Sequence, residues 1–388
     1  MFDVLKTDAD TRARRGSLRT AHGTLQTPFF MPVGTNATVK GISAEELRGL
    51  GAQVMLSNTY HLFLRPGLDI IRSFNGLHAF MSWDRPILTD SGGYQVFSLA
   101  QFRKITDEGV HFQSHIDGRK HFLTPEDVMA LEQGLGSDMI MPLDECVSYP
   151  CEREDAQRSV ARTTLWAKRT RAHFDAHMTG PSRQFLFGIV QGGTYEDLRR
   201  QSAMSLLDIG FDGYAIGGVS VGEPVKCMFD AVDWVEPLLP ADKPRYLMGI
   251  GLPDQIVHAV ARGIDMFDTC IPTRYGRHGS VFTRKGRLII LNAEYIDDKR
   301  PLDEYCECFV CRTYSRGYLR HLMKAGEMLG LRLLSYHNLF FYVRLLRDIR
   351  VAIETGTFGA FHQSFLRMYG SELYNGPQTT SGGPHDSV

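Results

Sequence analysis

The sequence predicts an α/β fold in which eight strand–helix units close into a (β/α)8 barrel. Eight short apolar runs recur along the chain, and continuous apolar runs are typical of strands that are buried on both faces. Most runs end in polar or glycine-rich turns, and segments with helical signals lie between them. The runs are PFFMPVGT from Pro28, QVMLSNTY from Gln53, PILTDSGG from Pro86, DMIMPLDE from Asp138, FLFGIVQGG from Phe185, GYAIGGVS from Gly213, RYLMGIG from Arg245 and DMFDTCIP from Asp265.

Helical segments and strand ends support this arrangement. Thr124 precedes PEDVMALEQGLG as an expected N-cap, and Thr194 begins a similar segment that closes at Gly210. Polar residues gather at the predicted carboxyl ends of the strands, the face where barrel active sites lie. A doubly wound open sheet is the alternative, but the count of eight and the even spread of polar ends favour the barrel. These end residues are Asn58, Asp90, Asp144, Gln191, Gly218 and Asp268.

The composition is that of an ordinary globular protein. The 388 residues carry a net charge of −1, with 22% charged and 43% apolar residues, so any nucleic-acid contact requires a local basic patch. No apolar stretch resembles a signal peptide, and no run of about 18 apolar residues indicates a membrane span. The 7 cysteines do not resemble a secreted disulfide framework. We therefore expect a reduced, cytoplasmic protein without a membrane segment.

A cluster of cysteines predicts a metal site. Three thiolates and one imidazole form a tetrahedral, closed structural zinc site. A helix from about Arg316 to His337 would return the imidazole to the cysteines. His321 is a rival fourth ligand and a reduced cluster without metal is an alternative, and the residues alone leave both open. The preferred ligands are Cys306, Cys308, Cys311 and His337.

These signals divide the chain into five parts. Residues 1–27 form an N-terminal β element, residues 28–291 the barrel with the active site, residues 292–342 the zinc-binding subdomain and residues 343–369 a closing barrel helix. The tail, residues 370–388, is polar and rich in Gly, Pro and Ser, and we expect it to be disordered.

Asp90 and Asp268 form the candidate catalytic pair. Both end apolar strands on the predicted catalytic face, and two carboxylates flanking a bond are the usual equipment for cleavage at an anomeric carbon. One attacks to form a covalent glycosyl-enzyme and the other transfers a proton. Asp265 competes with Asp268, which is preferred because it lies nearer the carboxyl end of the strand. Taken singly, each aspartate is also compatible with a turn or capping role.

A second set of residues suits recognition of a purine. Together, the Asp144 carboxylate and the Gln191 amide can accept hydrogen bonds from base N–H groups and donate one to a base carbonyl. The glycine pair ending at Gly218 offers bare backbone N–H groups for the same carbonyl. Tyr94 and Met248 can cover the two faces of a flat ring. Each of these residues also has an ordinary structural interpretation, as a turn glycine or a strand residue.

A basic strip, TRYGRHGSVFTRKGR, follows the second carboxylate. It runs from Thr273 to Arg287, begins shortly after Asp268 and contains no acid. A solvated basic loop is the ordinary interpretation, but its position at the mouth of the predicted site favours a polyanionic substrate.

Together these residues resemble the tRNA-guanine transglycosylase family, bacterial type, over almost the whole chain up to about residue 370. One departure is Val219, where leucine is common. The matching motifs are DSGGYQVF from Asp90, LDEC from Leu143, GIVQGG from Gly188, GGVSVGE from Gly217, MGIGLPD from Met248, MFDTCIPTRYGRHG from Met266, and CECFVC with His337.

The resemblance implies a zinc-bearing (β/α)8 barrel, a homodimer, that acts in queuosine biosynthesis. It implies exchange of guanine at the wobble position of GUN-anticodon tRNAs (Asp, Asn, His, Tyr) for a 7-deazaguanine. Asp268 would be the nucleophile that forms a covalent tRNA intermediate, and Asp90 the acid/base. Because Val221 matches the bacterial form, 7-aminomethyl-7-deazaguanine (preQ1) should fit and bulkier queuine should not. Glu223 would favour the cationic arm of preQ1.

The resemblance also assigns the remaining residues. Zinc would be held by Cys306, Cys308, Cys311 and His337. The base would contact Asp90, Ser91, Gly92, Gly93, Tyr94, Asp144, Gln191, Gly218, Val219, Val221, Glu223 and Met248. The anticodon loop would lie along Gly249, Ile250, Gly251, Leu252, Pro253, Asp254, Gln255, Thr273, Arg274, Tyr275, Gly276 and Arg277.

Three rival functions are less compatible with the residues. An archaeal-type transglycosylase carries extra C-terminal RNA-binding domains, for which the tail here is too short. A catalytically silent RNA-binding partner subunit need not keep the two carboxylates, yet Asp90 and Asp268 are both present. A barrel glycoside hydrolase would not explain the cysteine cluster or the acid-free basic strip.

Overall fold

The computed structural model describes residues 1–99, 102–177 and 184–371. Its strands are β1 Phe2–Thr7, β2 Arg14–Thr20, β3 Gly23–Thr27, β4 Phe29–Pro32, β5 Met55–Asn58, β6 Ile87–Asp90, β7 Arg103–Ile105, β8 Val110–Gln113, β9 Lys120–Leu123, β10 Met139–Ile140, β11 Phe185–Val190, β12 Gly213–Ile216, β13 Arg245–Leu247, β14 Met266–Thr269, β15 Ser280–Thr283 and β16 Gly286–Ile289.

Fifteen α-helices are described in these ranges. They are α1 Ala44–Leu50, α2 Thr59–Leu64, α3 Leu68–Ser73, α4 Leu77–Phe80, α5 Gly93–Leu99, α6 Pro125–Leu135, α7 Arg153–His177, α8 Glu196–Ile209, α9 Val225–Val235, α10 Pro253–Ala261, α11 Ile271–Arg277, α12 Phe309–Thr313, α13 Arg316–Lys324, α14 Met328–Glu354 and α15 Phe358–Tyr369. None of the described helices is long and apolar enough to span a bilayer.

The central sheet is the predicted eight-stranded parallel barrel. Its strands follow the order β4-β14-β13-β12-β11-β10-β6-β5, and a parallel bridge between Val33 and Leu56 joins the two ends. Each strand lies inside one of the eight predicted apolar runs, so the barrel is confirmed and the open sheet is wrong. Alternate residues fill different layers: Phe29 and Met31 pack in the barrel interior, while Phe30 packs outward under the helices.

The helix signals were correct in one case and shifted in another. Thr124 caps α6 through a reciprocal capping box with Asp127, as predicted. Helix α8 begins one residue later than expected, after Tyr195, which makes no side-chain cap, while Gly210 ends it with a φ of 84°. The helix expected to run to His337 is two helices, because Gly326 between α13 and α14 adopts a left-handed φ of 72°.

Helix α14 is the longest described helix and crosses the predicted boundary at residues 342 and 343. One continuous helix therefore carries both the cysteine-cluster histidine, His337, and residues that pack on the barrel, such as Tyr342 and Ile349. The predicted tail from residue 372 onward lies outside the described residues.

Besides the two-stranded sheet β15-β16, two three-stranded sheets are described outside the barrel. The antiparallel sheet β1-β2-β3 lies within residues 1–27 and is tied to the barrel by a buried ion pair of 2.5 Å between Arg14 Nη2 and Asp265 Oδ2. Asp265 thus lies at the amino end of β14, which excludes it from the opposite, carboxyl-end face. The sheet β7-β8-β9, inserted between α5 and α6, was not predicted.

Candidate active site

A cavity of about 380 Å³ opens at the carboxyl ends of the barrel strands. This is the end of a (β/α)8 barrel at which active sites form. Its lining includes residues from both predicted sets, namely Asp90, Ser91, Gly92, Gly93, Tyr94, Asp144, Gln191, Gly218, Val219, Val221, Met248, Gly249 and Asp268. The tertiary structure therefore brings together side chains that are far apart in the sequence.

Asp90 ends β6 and is held by three neutral donors. Asn58 Nδ2 donates to its Oδ2 at 2.5 Å, Gln95 Nε2 donates to Oδ2 at 3.0 Å, and the Thr59 N–H donates to Oδ1 at 3.2 Å. Burial raises the pKa of Asp90 to about 7, against these hydrogen bonds and with a further contribution from the charge of Asp268. A carboxyl group with this pKa can both donate and accept a proton near neutral pH.

Asp268 lies near the end of β14 and receives donors on one oxygen. The Tyr246 hydroxyl donates to Oδ1 at 2.6 Å, and the Gly249 N–H donates to the same atom at 2.8 Å. Burial raises the pKa of Asp268, while these two donors oppose the rise. Within the described chain no donor is directed at Oδ2, so this oxygen is available to a ligand.

Asp144 and Gln191 form a connected polar edge. Gln191 Nε2 donates to Asp144 Oδ2 at 2.7 Å, and the Ser91 hydroxyl donates to Oδ1 at 3.3 Å. Burial raises the pKa of Asp144 to about 6 in spite of these bonds. Gln191 Oε1 is buried and has no hydrogen-bond partner in the described protein. A buried acceptor of this kind is expected to meet a donor from a ligand or water.

Gly93 and Gly218 lie so close to polar groups of the site that a side chain would not fit at either position. A Cβ on Gly93 would lie 2.8 Å from both the backbone oxygen and Oδ1 of Asp144, and a Cβ on Gly218 would lie 2.2 Å from Gln191 Oε1. Gly218 also has a left-handed φ of 58°. Any side chain at these positions would displace the polar edge, which accounts for the glycines that follow Asp90 and β12.

Arg199 holds the backbone of this glycine turn through hydrogen bonds. Its guanidinium is fully buried and donates to the carbonyls of Gly193 at 2.8 Å, Gly217 at 2.6 Å and Gly218 at 2.8 Å. Burial lowers the pKa of Arg199 to about 10. The arginine thus fixes the backbone of a turn that lines the cavity.

The residues predicted to cover the ring or line its pocket lie at two different cavities. Tyr94, which is 50% exposed, lines the main cavity together with Met248, Val219 and Val221. Glu223 does not line that cavity. It lies beside an adjoining small one, and its carboxylate accepts hydrogen bonds from the Ser220 N–H and, at 2.9 Å, from the Val221 N–H.

The segments predicted to contact RNA are only partly accessible. Of the residues from Gly249 to Gln255, Gly249 is exposed and Leu252 and Gln255 are half-buried, whereas the others are buried. Asp254 accepts a 2.7 Å hydrogen bond from Ser371. In the second segment Arg274 is exposed and Arg277 half-buried, so these two arginines offer most of its accessible positive charge.

The basic strip is divided between two elements, helix α11 and the hairpin β15–β16. Its first part is helix α11, which carries Arg274 and Arg277 and directly follows β14. Its second part is the hairpin β15–β16. There Arg287 packs over the ring of Tyr275 at 5.5 Å and Arg284 over the ring of Tyr305 at 5.7 Å. Lys285 and Arg287 line a different cavity from the one that holds the two carboxylates.

The cysteine cluster is assembled as a candidate metal centre with His337. The thiols of Cys306, Cys308 and Cys311 lie 3.8, 3.5 and 3.3 Å from His337 Nδ1. Two ligands of a tetrahedral zinc ion, one sulfur and one nitrogen, are about 3.6 Å apart, so the donor set and its spacing fit such an ion. His321 is exposed on α13 and does not belong to the cluster. The four residues could therefore hold a metal ion.

Buried hydrogen bonds connect this centre to the active-site face. His337 Nε2 bonds to the carbonyl oxygen of Phe282 at 2.8 Å, which leaves Nδ1 directed at the thiols. The next residue, Asn338, accepts from the Phe282 N–H at 3.0 Å and donates to the Pro272 carbonyl at 2.9 Å. The metal centre, the hairpin and helix α11 are thus held as one unit.

Several supporting residues were not identified from the sequence. Asn58 was noted only as a strand-end residue, and Thr59, Gln95, Arg199 and Tyr246 were assigned no part in the site. Asn58 ends the buried strand β5 and Thr59 directly follows it, a position that indicates the same face. Arg199 and Tyr246 gave no comparable signal, because burial of a polar side chain against one particular partner is decided by the fold.

The fold and the cavity define a (β/α)8 enzyme with a carboxylate pair beside a polar edge suited to a base. The family described as TGT, queuine tRNA-ribosyltransferase, matches residues 8–371 of this chain. Curated queuine tRNA-ribosyltransferases of Ruminiclostridium cellulolyticum and Desulforudis audaxviator are 54% and 55% identical to it. These matches cover 95% and 94% of this chain and 98% and 97% of the relatives. The relative from Halalkalibacterium halodurans is 54% identical over 369 residues.

The chain belongs to the queuine tRNA-ribosyltransferase family. The resemblance read from the motifs is thereby confirmed, and the protein is a transferase of the tRNA-guanine transglycosylase class.

Proposed function

We propose that this protein exchanges guanine at the wobble position of tRNAs with a GUN anticodon for preQ1. The observation that carries the proposal is the convergence of Asp90, Asp268 and the Asp144–Gln191 edge on one cavity. The carboxylates supply the chemistry at the ribose, and the edge supplies recognition of the base. A target base must leave the stack to enter such a cavity, which suits a nucleotide in a loop.

Asp268 is the proposed nucleophile. Its Oδ1 is fixed by Tyr246 and Gly249, so Oδ2 is the oxygen that attacks C1′ of the ribose. The C1′–N bond to guanine breaks as the C1′–O bond forms, and Asp90 gives a proton to the departing base. In the second half, Asp90 takes a proton from the incoming base, whose nitrogen attacks C1′ and releases the carboxylate of Asp268.

Base recognition rests on complementary hydrogen bonding. Asp144 accepts from N–H groups of a guanine-type base, and the unpartnered Gln191 Oε1 provides another acceptor. The backbone N–H groups near Gly218, fixed by Arg199, can donate to the base carbonyl. Tyr94 and Met248 would cover the ring faces.

The choice of preQ1 rests on the region around Val221. This residue lines both the main cavity and the small adjoining one, where Glu223 is found. A cationic aminomethyl arm directed toward this acid would gain electrostatic stabilisation, whereas a bulkier substituent would meet Val221. In this structure Glu223 is occupied by two backbone N–H groups, so binding of the arm requires that these bonds rearrange or are shared.

Further expectations accompany this function. The ion at Cys306, Cys308, Cys311 and His337 is zinc, which would stabilise the unit that carries α11. Arg274 and Arg277 contact tRNA phosphates, and the chain forms a homodimer. All 7 cysteines are unpaired, in keeping with a reducing cytoplasmic location.

The test is incorporation of labelled guanine into two matched tRNA transcripts, one with G and the other with A at the wobble position of a U-G-U context. We expect label in the first transcript only, and competition by unlabelled preQ1 but not by queuine. Absence of label in both, from protein that contains zinc and still retains tRNA, would instead indicate a silent RNA-binding subunit. Size measurement by light scattering tests the dimer.

A further inference from the structure

Another fully buried carboxyl group lies near Asp90, and the proposed chemistry does not use it. Glu132 belongs to helix α6 and has no exposed surface. Its Oε1 is hydrogen-bonded to the Thr59 hydroxyl at 3.4 Å, and its Oε2 accepts from the Met141 N–H at 3.0 Å. Each carboxyl oxygen thus has one partner, and both partners lie at the carboxyl ends of barrel strands.

These two partners flank the end of strand β6, which carries Asp90. In the barrel β6 lies between β5 and β10, and both neighbours pair with it in parallel as far as its last two residues. Thr59 is the first residue after β5, and Met141 is the first residue after β10. Glu132 therefore links the chain on one side of Asp90 to the chain on the other side.

The Thr59 side of this link reaches Asp90 directly. The Thr59 N–H donates to Asp90 Oδ1 at 3.2 Å, while the hydroxyl of the same residue contacts Glu132. A backbone N–H holds its acceptor only where its own residue is held. Loss of the contact with Glu132 would therefore loosen one of the three donors that orient Asp90.

Glu132 has no counter-ion in the part of the chain that the structure describes. No lysine, arginine or histidine there forms an ion pair with it, and the side-chain atom that it bonds is a hydroxyl oxygen. Burial raises the pKa of Glu132 well above its ordinary range, and the charge of Asp90 raises it further. An uncompensated buried carboxylate is costly, so at neutral pH Glu132 is a carboxylic acid that links its partners by hydrogen bonds.

We propose that Glu132 is a positioning residue for base exchange, which holds Thr59 and the end of β10 so that Asp90 stays in place between them. Glu132 does not line the catalytic cavity, so it acts only through these partners. The inference rests on the proposed function, in which Asp90 is the acid/base.

The test compares two replacements of Glu132. Glu132→Gln keeps an acceptor for the Met141 N–H and offers a donor to the Thr59 hydroxyl, so the single-turnover rate of adduct formation should stay within about twofold of wild type. Glu132→Met has a similar volume but makes neither bond, and its rate should fall by about tenfold. Its tRNA dissociation constant should stay within about threefold, because Glu132 does not touch the substrate.

The pH profile is the measurement that a purely structural role would not move. In Glu132→Met the N–H that favours ionised Asp90 is no longer held, so the midpoint above which adduct formation declines should rise by ~0.5 unit. Thr59→Val keeps the backbone N–H and loses only the hydroxyl that contacts Glu132. It should lower the rate and raise the midpoint in the same direction, which keeps the test decisive if Glu132→Met does not fold.

Gln184→Leu is the matched control for stability. Gln184 Nε2 donates to the backbone carbonyls of Glu132 at 3.2 Å and Ser137 at 2.7 Å, and it does not touch the carboxyl group. This variant should lower the Tm and keep the wild-type rate and midpoint.

Three outcomes count against the inference. A folded Glu132→Met or Thr59→Val protein with the rate and midpoint of wild type would overturn it and leave Glu132 as a core packing residue. A Glu132→Gln protein as impaired as Glu132→Met would show that the carboxyl group is needed for its charge or its proton rather than for position. Absence of adduct in wild type would remove the proposed function itself, and this inference with it.

Discussion

The two ends of the barrel use the same residue type in opposite ways. Asp90 lies at the carboxyl end of β6 and Asp138 at the amino end of β10, a neighbouring strand, and both are shielded from solvent. Burial raises the pKa of Asp90 to about 7, whereas hydrogen bonds that include two histidines hold that of Asp138 at about 2. The difference indicates that hydrogen-bond donors, together with burial, set the pKa of each of these carboxyl groups.

Strand β14 shows the same contrast within a few residues. Asp265, just before its first residue, is paired with Arg14, while Asp268 has one oxygen without a donor in the described chain. This agrees with the general rule that residues at the amino ends of barrel strands contribute to stability and those at the carboxyl ends to chemistry. The following predictions test how strictly this division holds here.

The largest effect is expected from Asp268→Asn. The variant keeps an oxygen for Tyr246 and Gly249 but lacks the attacking carboxylate, so we expect guanine exchange to fall by at least about 10³-fold. Exchange of labelled guanine and trapping of the covalent tRNA adduct measure this loss, and a binding assay should show tRNA affinity within about threefold of wild type. Near-normal turnover would remove Asp268 as the nucleophile.

The matched change at the other end is Asp265→Asn. It leaves the buried guanidinium of Arg14 without its counter-ion, and we expect the free energy of unfolding to fall by about 3–5 kcal/mol. Denaturant unfolding measures this change, and the exchange rate per folded molecule should remain near that of wild type. A variant of normal stability that fails to exchange guanine would contradict the division between the two ends.

Asp90 and Asp138 should change the free energy of unfolding with pH in opposite directions. The folded-state pKa of Asp90 lies above the ordinary aspartate value of 3.8, so its contribution to stability is lost as pH rises from about 4 to 7, by about 3 kcal/mol. The folded-state pKa of Asp138 lies below 3.8, so its contribution is lost as pH falls from about 4 to 2, by about 2 kcal/mol.

Asparagine variants isolate the two contributions. Denaturant unfolding between pH 2 and pH 8 in metal-free buffer should show that Asp90→Asn lacks the loss on the neutral side. Asp138→Asn should lack the loss on the acid side. Parallel curves for wild type and both variants would mean that neither carboxyl has a shifted pKa in the folded protein.

A smaller effect concerns the proton donor. Gln95→Leu removes one hydrogen bond that favours ionised Asp90. Because such a bond contributes about 1 kcal/mol, the pKa of Asp90 should rise by a further ~0.5–1 unit. In the proposed mechanism the covalent adduct forms only when Asp90 is protonated, so its formation should decline above about pH 7 in wild type, and at correspondingly higher pH in the variant. Single-turnover rates of adduct formation at a series of pH values measure this decline in both wild type and variant. Identical profiles would indicate another proton donor.

The smallest effect separates the two halves of the basic strip. Arg277→Ala should weaken tRNA binding by about 1 kcal/mol and lower the salt dependence of affinity by about one phosphate contact. Arg284→Ala serves as the control, because Arg284 belongs to the second half of the strip and packs over Tyr305 rather than over a residue of α11. Equal losses in both variants would show that RNA covers the whole strip.

The sequence by itself determined the barrel, the strand ends and the chemistry-bearing residue types. Apolar runs followed by glycine or an acid are local patterns, and their period and order reflect burial of each strand. The spacing of Cys306, Cys308 and Cys311 likewise predicted a metal cluster. Local signals also placed Asp90 and Asp268 at carboxyl strand ends, although Asp265 remained a rival without the resemblance.

Only the tertiary structure decided how these groups are partnered. It set Asp265 against Arg14, selected His337 over His321, divided the basic strip and placed Arg199 under the Gly218 turn. It also placed His22 and His78 within hydrogen-bond distance of Asp138, which no sequence pattern connected. The physical reason is that a hydrogen bond, an ion pair or a pKa shift depends on distance and desolvation between residues remote in the chain, and these exist only once the barrel has closed.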